Sequence, residues 1–136
     1  ARSSERTVYC WGRSQFNSLG LGDTSDRDSP TLVPTASLGT QLTSGRFHNC
    51  QLTDLGELQC WGGDLFGELG QGDVGGPRGM VIVPLSGVVR VSAGLGHTCA
   101  TDAAGILHCF GLNDRGQLGL GTVNGTNASP APVTFP

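Results

Sequence analysis

The stretch Cys60-Trp61-Gly62-Gly63-Asp64-Leu65-Phe66-Gly67-Glu68-Leu69-Gly70-Gln71-Gly72-Asp73 stands between two close copies of itself. Upstream, Cys10-Trp11-Gly12 leads to Leu19-Gly20-Leu21-Gly22-Asp23; downstream, Cys109-Phe110-Gly111 leads to Leu118-Gly119-Leu120-Gly121-Thr122. The copies are 50 and then 49 residues apart. Self-similarity at that period marks a propeller or solenoid, in which one small unit is stacked repeatedly to bury its apolar faces. A second landmark keeps the interval: Gly45-Arg46-Phe47-His48-Asn49-Cys50 is answered 49 residues later by Gly94-Leu95-Gly96-His97-Thr98-Cys99.

Composition narrows the function. The 136 residues carry 23 Gly, a net charge of −3 and no lysine; all eight basic residues are Arg, scattered singly. The glycines fall at repeated places between apolar runs, as turns between short strands do. The lack of lysine removes a Walker phosphate loop and a Schiff-base nucleophile. With no basic stripe to displace phosphate counterions, no nucleic-acid partner is expected. No apolar run approaches the ~20 residues of a membrane-spanning helix.

Val8 to Trp11 reads as a strand, residues 12 to 30 as a Gly- and Asp-rich loop, and Thr31 to Pro34 as a short extended segment matched by Met80 to Pro84 and Pro132 to Pro136. The first complete unit then runs through strands containing Cys50 and Leu52, a turn at Asp54-Leu55-Gly56 and a return strand from Glu57 to Trp61. Val88 to Val91, Thr98 to Thr101 and Ile106 to Phe110 repeat the plan. No segment keeps a helical period of apolar residues.

The alternation of Val91-Ser92-Ala93-Gly94-Leu95-Gly96-His97-Thr98, a short turn, x-x-Trp-Gly and Gly116-Gln117-Leu118-Gly119-Leu120-Gly121 resembles the regulator of chromosome condensation repeat, over nearly the whole chain. The resemblance implies an all-β fold, a partial β-propeller of about two and a half four-stranded antiparallel blades. The expected organisation is a half repeat at 1–40, cut at its N-terminal side, and complete repeats at 41–87 and 88–136. Ala1 aligns with Ala100 and Cys10 with Cys109, so the chain is expected to start just past a partner for Cys10. Propellers close with ~4 to 8 blades. The segment is therefore expected to belong to a larger protein, or to have its open edges covered by other copies or by a protein partner.

Cys50 and Cys60 are ten residues apart about a central Gly-containing turn, and so are Cys99 and Cys109. In such hairpins they face one another across two strands, which predicts disulfides Cys50 to Cys60 and Cys99 to Cys109; buried free thiols are the competing reading. Intracellular members of the resembled family do not generally carry such a pair, so the expected setting is secreted or cell-surface, the disulfide-containing variety of the family. Asn124-Gly125-Thr126 and Asn127-Ala128-Ser129 fit the acceptor pattern for N-linked glycan, in a loop expected to be exposed.

Candidate chemistry reduces to architecture. His48 and His97 have Cys at i+2, but the disulfides would consume those thiols, and in the resembled family this His is a recurring structural residue. Trp11, Trp61 and Phe110 share one repeated position and are expected to pack between blades. Asp23, Asp26, Asp28, Asp64 and Asp73 suit turns better than any calcium loop. Asp64 and Glu68 form a weak candidate carboxylate pair. No catalytic, metal or cofactor site is expected.

The expectation is a non-catalytic extracellular structural or protein-binding module. Family members include an exchange factor for a small nuclear GTPase and a secreted inhibitor of β-lactamase, so regulation of a secreted enzyme or signalling protein is the alternative. Carbohydrate binding through Phe16, Phe47 or Phe66 is a third.

Overall fold

The computed structural model describes residues 1–35 and 37–136. Its strands form three antiparallel sheets. The first pairs β1 (Tyr9–Gly12) with β2 (Arg27–Leu32). The second runs in chain order through β3 (Gly39–Ser44), β4 (His48–Thr53), β5 (Leu58–Gly62) and β6 (Arg78–Ile82). The third repeats it with β7 (Val88–Ala93), β8 (His97–Asp102), β9 (Leu107–Asn113) and β10 (Gly125–Pro132). One 3-10 turn, Gln15–Asn17, is the sole helical element among the described residues. The fold is the partial propeller that the repeat implies.

Register follows from turn chemistry. In the β4–β5 hairpin Gly56 takes φ +76°, a left-handed conformation that only glycine adopts at little cost, and Gly105 does the same at φ +82° in the β8–β9 hairpin. These three-residue turns set Cys50 opposite Cys60 and Cys99 opposite Cys109. The Thr53 N–H donates to the Glu57 carbonyl, so alternation along the ladder makes Cys50 and Cys60 a non-hydrogen-bonded pair, where side chains approach most closely. The Asp102 N–H donates to the Ile106 carbonyl and gives the third sheet the same phase. The structure joins both pairs as disulfides, with Cα separations of 4.1 and 4.2 Å, while Cys10 remains a half-buried thiol.

The outer strands begin earlier than the sequence suggests. β2 takes in Pro30, inside the segment read as a loop, and β10 takes in Pro130, ahead of the extended segment read at Pro132 to Pro136. Both are edge strands, paired on one side only, where a missing N–H breaks no ladder. Each outer strand carries a bulge opposite the repeated aromatic position, between Cys10 and Gly12, between Cys60 and Gly62, and between Asn127 and Ala131. β10 therefore takes in Asn127, which pairs with Gly111 and is half-buried, whereas Asn124 is exposed.

The core lies between sheets. Trp61 closes a cluster with Val8 and Val33 of the first unit, while Phe110 joins Cys50, Leu58, Cys60 and Leu69 of the second unit with Val91 and Ala100 of its own. Trp61 and Phe110 are fully buried, but Trp11 is 48 % exposed, contrary to the packing role expected for all three. Trp61 and Phe110 each lie against the unit before them.

Polar side chains stitch the same seams. The Thr98 hydroxyl donates to the Glu68 carbonyl at 2.8 Å and stands 2.9 Å from Nε2 of His48. A hydroxyl has one proton, so His48 must donate from Nε2, which fixes the neutral tautomer with a bare Nδ1. Nδ1 is buried with no partner, so protonating the ring would create an unsatisfied charge. Burial, with a smaller contribution from His97, lowers the His48 pKa to about 4. One unit earlier, Asn49 Nδ2 donates to the Ser18 carbonyl in the place that Thr98 fills on Glu68. Gln41 Oε1 and Thr43 Oγ1 on β3 accept the N–H groups of Val91 and Ala93 on β7.

Two expectations follow. Peptide mapping without reduction should recover Cys50 joined to Cys60 and Cys99 joined to Cys109; free thiols at Cys50 and Cys60 would contradict the register. Because the folded pKa of His48 lies below its unfolded value, the unfolded chain binds more protons in the interval, and stability falls as pH drops from about 6.5 towards 4. The loss attributable to His48 is on the order of 3 kcal/mol. Urea unfolding of His48→Gln at about pH 7 and about pH 4.5 should show that much less acid sensitivity than the parent; equal sensitivity would place the acid response elsewhere.

Candidate protein-binding surface

Antiparallel topology sends two kinds of connection to one end of the sheets. The β3–β4 and β7–β8 turns emerge there beside the long connections that follow β1, β5 and β9. At this end the seam between first and second units is flanked by half-buried Phe47. The Phe16 ring meets the Phe47 ring edge-on, with centroids 4.9 Å apart and planes at 71°, and the Arg46 guanidinium lies 4.7 Å from the Phe47 centroid. Phe16 and Asn17 adopt left-handed φ of 59° and 55°, which turns Phe16 towards its partner. The Gly63 N–H donates to the Phe47 carbonyl, and the Arg46 N–H to the Leu95 carbonyl of the next unit.

Beside this stack, Arg13, Gln15, Ser18, Arg46 and Phe47 line a concavity of about 300 Å³. Arg13 and Arg46 are both exposed, and neither meets a carboxylate among the described residues. Three arginines are paired: Arg6 with Asp54 at 3.6 Å, Arg27 with Asp23 at 2.8 Å, and Arg78 with Asp64 at 2.7 Å and Asp73 at 2.8 Å. Exposed Leu65, Phe66 and Leu95 stand on the same end. Aromatic and arginine side chains are enriched in protein-binding patches.

The acidic residues weighed for chemistry organise loops. Asp64 is buried and accepts the Leu69 N–H at 3.1 Å as well as the Arg78 guanidinium, while Glu68 accepts the Phe66 N–H at 2.6 Å. Burial pushes both carboxyls up. Asn113 takes the place of Asp64 in the third unit and accepts the Leu118 N–H at 3.2 Å. Asp102 accepts the N–H groups of Ala104 and Ile106 and a His108 contact at 3.0 Å; that contact and the backbone bonds hold its carboxyl down. Among the described residues, no cluster of three His, Cys, Asp or Glu could hold a metal ion. No helix among them is long and apolar enough to cross a membrane.

His48 and His97 do not occupy equal surroundings. His48 is buried against Thr98, whereas His97 stands half-exposed on the outer face of the third sheet, its pKa lowered by partial burial. Of the sequons, Asn124 is exposed and its Oδ1 accepts from Asn113 Nδ2, while Asn127 donates from Nδ2 to the Ser129 carbonyl at 2.8 Å. Thr98, Gln41, Thr43, Arg13 and Arg46 were not singled out by sequence reasoning. One signal was there for Thr98: it aligns with Asn49, and their acceptors Ser18 and Glu68 are 50 residues apart.

Comparison with known proteins agrees with this architecture. The model of the regulator of chromosome condensation (RCC1) repeat matches residues 7–52, and a second model of that repeat matches residues 88–117. No curated protein sequence matches the chain. Human WBSCR16 superposes over 100 % of this chain and 37 % of its own, with a TM-score of 0.88 and 25 % identity. Prp20p from Saccharomyces cerevisiae superposes over 99 % of this chain and 36 % of its own, with a TM-score of 0.83 and 21 % identity, a likeness of fold alone. Yeast RCC1 (Prp20), solved with Kap60 bound, covers 98 % and 32 %, with a TM-score of 0.83 and 25 % identity. The chain thus spans about a third of the length of these structures. With both repeat matches falling on the sheets described above, and together covering more than half of the residues, the chain belongs to the regulator of chromosome condensation repeat family and its sheets are propeller blades.

Proposed function

We propose that this chain is a non-catalytic protein-binding module of β-propeller blades, working in an oxidising extracellular or cell-surface setting. The observation that carries this is a division of labour among side chains. The repeated residues, His48, Trp61, Phe110 and the two cysteine pairs, are consumed in building and stacking blades. The side chains left over, Arg13, Arg46, Leu65 and Leu95, gather at the turn-bearing end. Protein partners are also what the likenesses suggest: the structure of Prp20p is reported with its binding to Gsp1p and histones, and yeast RCC1 with Kap60. Two disulfides support the oxidising setting. The exposed Asn124 supports a glycoprotein.

The outer face of the third sheet is a second binding element. Arg90, Ser92 and His97 stand there in the places that Gln41, Thr43 and His48 fill in the seam between second and third blades. Such a face engages further protein, including other copies. Sedimentation of the purified chain over a range of concentrations is expected to show species larger than one chain; a monomer at every concentration would contradict the open-face role. On secretion from eukaryotic cells, Asn124→Gln is expected to remove a glycosidase-sensitive mass shift that Asn127→Gln leaves in place. The reverse pattern, or no shift in the parent, would count against a glycan at Asn124.

A further inference from the structure

We propose that the concavity between Arg13 and Arg46 takes a carboxylate side chain from an acidic segment of a partner protein. The inference rests on the protein-binding role above and names the chemistry of what is bound.

Four observations converge. Arg13 and Arg46 border one concavity of about 300 Å³, together with Gln15, Ser18 and Phe47. Neither is engaged by a carboxylate among the described residues, whereas Arg6, Arg27 and Arg78 each pair with an Asp. Asp26, which lines an adjoining concavity with Arg13 and Gln15, has its Oδ1 turned to the Ser14 N–H at 2.8 Å and forms no ion pair with Arg13. Finally, the Phe47 ring is already engaged, with the Arg46 guanidinium 4.7 Å from its centroid and the Phe16 ring 4.9 Å away at 71°. The protein-binding role is what favours an acidic peptide over an acidic sugar.

The mode of binding follows from charge and shape. Arg46 is held over Phe47 by cation–π attraction, so part of its side-chain freedom is already lost before a ligand arrives. A planar guanidinium fixed in this way presents its N–H fork to a carboxylate with good geometry. Arg13 supplies the second cation, and the exposed Leu65 and Leu95 on the same end offer apolar contact to flanking residues of the segment.

Fluorescence anisotropy tests this with a labelled peptide of alternating Glu and Ser, its Gln counterpart and a sialylated trisaccharide, each titrated with the chain. The Glu peptide should bind and weaken as salt is raised, and the Gln peptide should bind at least about tenfold more weakly. Arg13→Gln and Arg46→Gln should each reduce affinity for the Glu peptide about tenfold, while Arg2→Gln, whose guanidinium donates to the Gly39 carbonyl at the opposite end of the sheets, should leave it unchanged. Equal binding of the Glu and Gln peptides, tighter binding of the sugar, or unchanged binding after both substitutions would overturn the proposal. Sedimentation of the doubly substituted chain separates this from failure of the wider role. Assembly through the sheet faces is expected to persist when the cleft is emptied of its cations, and dissociation on that substitution would also overturn the assignment of the cleft to a partner segment.

Discussion

Each blade of this molecule depends on an aromatic side chain lying on a glycine of the blade before it. A Cβ placed on Gly20 would stand 2.6 Å from Cδ1 of Trp61, and one placed on Gly70 would stand 2.9 Å from Cε2 of Phe110. No side chain fits at either position. Both glycines belong to the Leu-Gly-x-Gly element of the repeat, and both take a left-handed φ near +70°. The preceding Leu19 and Leu69 are turned into the core beside the ring. The glycine-rich loop of one unit is therefore the floor on which the next unit rests, which is why the cysteine-aromatic-glycine and glycine-leucine motifs recur together.

The polar contacts at these seams act as a specificity device layered on that packing. Thr98 both donates to Glu68 and accepts from His48, so a short chain of hydrogen bonds crosses from loop to strand to strand. Such a chain demands one register between blades, since sliding a strand by one residue would turn His48 and Cys50 to the opposite face. Its weak point is the buried imidazole. With no acceptor at Nδ1 the ring cannot take a second proton without loss, so a contact that holds the seam at neutral pH opposes it in acid.

What the sequence made legible were relations within one hairpin or across one full period. The ten-residue spacing of Cys50 and Cys60 declares their pairing because a three-residue glycine turn allows one register. The period declares that Trp61 and Phe110 do the same job. Relations that depend on a neighbouring unit were harder to read. Trp11 carries the same signature as Trp61, yet its exposure is decided by what lies against it and not by the residues around it. The extents of β2 and β10 were hidden because Pro30 and Pro130 read as breakers, a rule that edge strands relax. For the same reason Asn127 looked like part of an exposed loop. The cleft was least legible: Arg13 and Arg46 are 33 positions apart in the chain, and Arg46 stands at a variable place of its motif, where the next unit has Leu95.

Function on such a scaffold belongs to whatever stacking leaves unused. Here that is a turn-bearing end with uncommitted arginines and exposed apolar groups, together with an outer sheet face that repeats an internal one. The central claim is that a blade is held by its successor's ring, and amide hydrogen exchange of Phe110→Ala tests it most directly. Loss of the ring is expected to cost about 3 to 5 kcal/mol. It should release amides of residues 67–72, in the preceding unit, along with those of β8 and β9, while β1 and β2 keep their protection. Faster exchange confined to the third sheet, with residues 67–72 unchanged, would contradict the account.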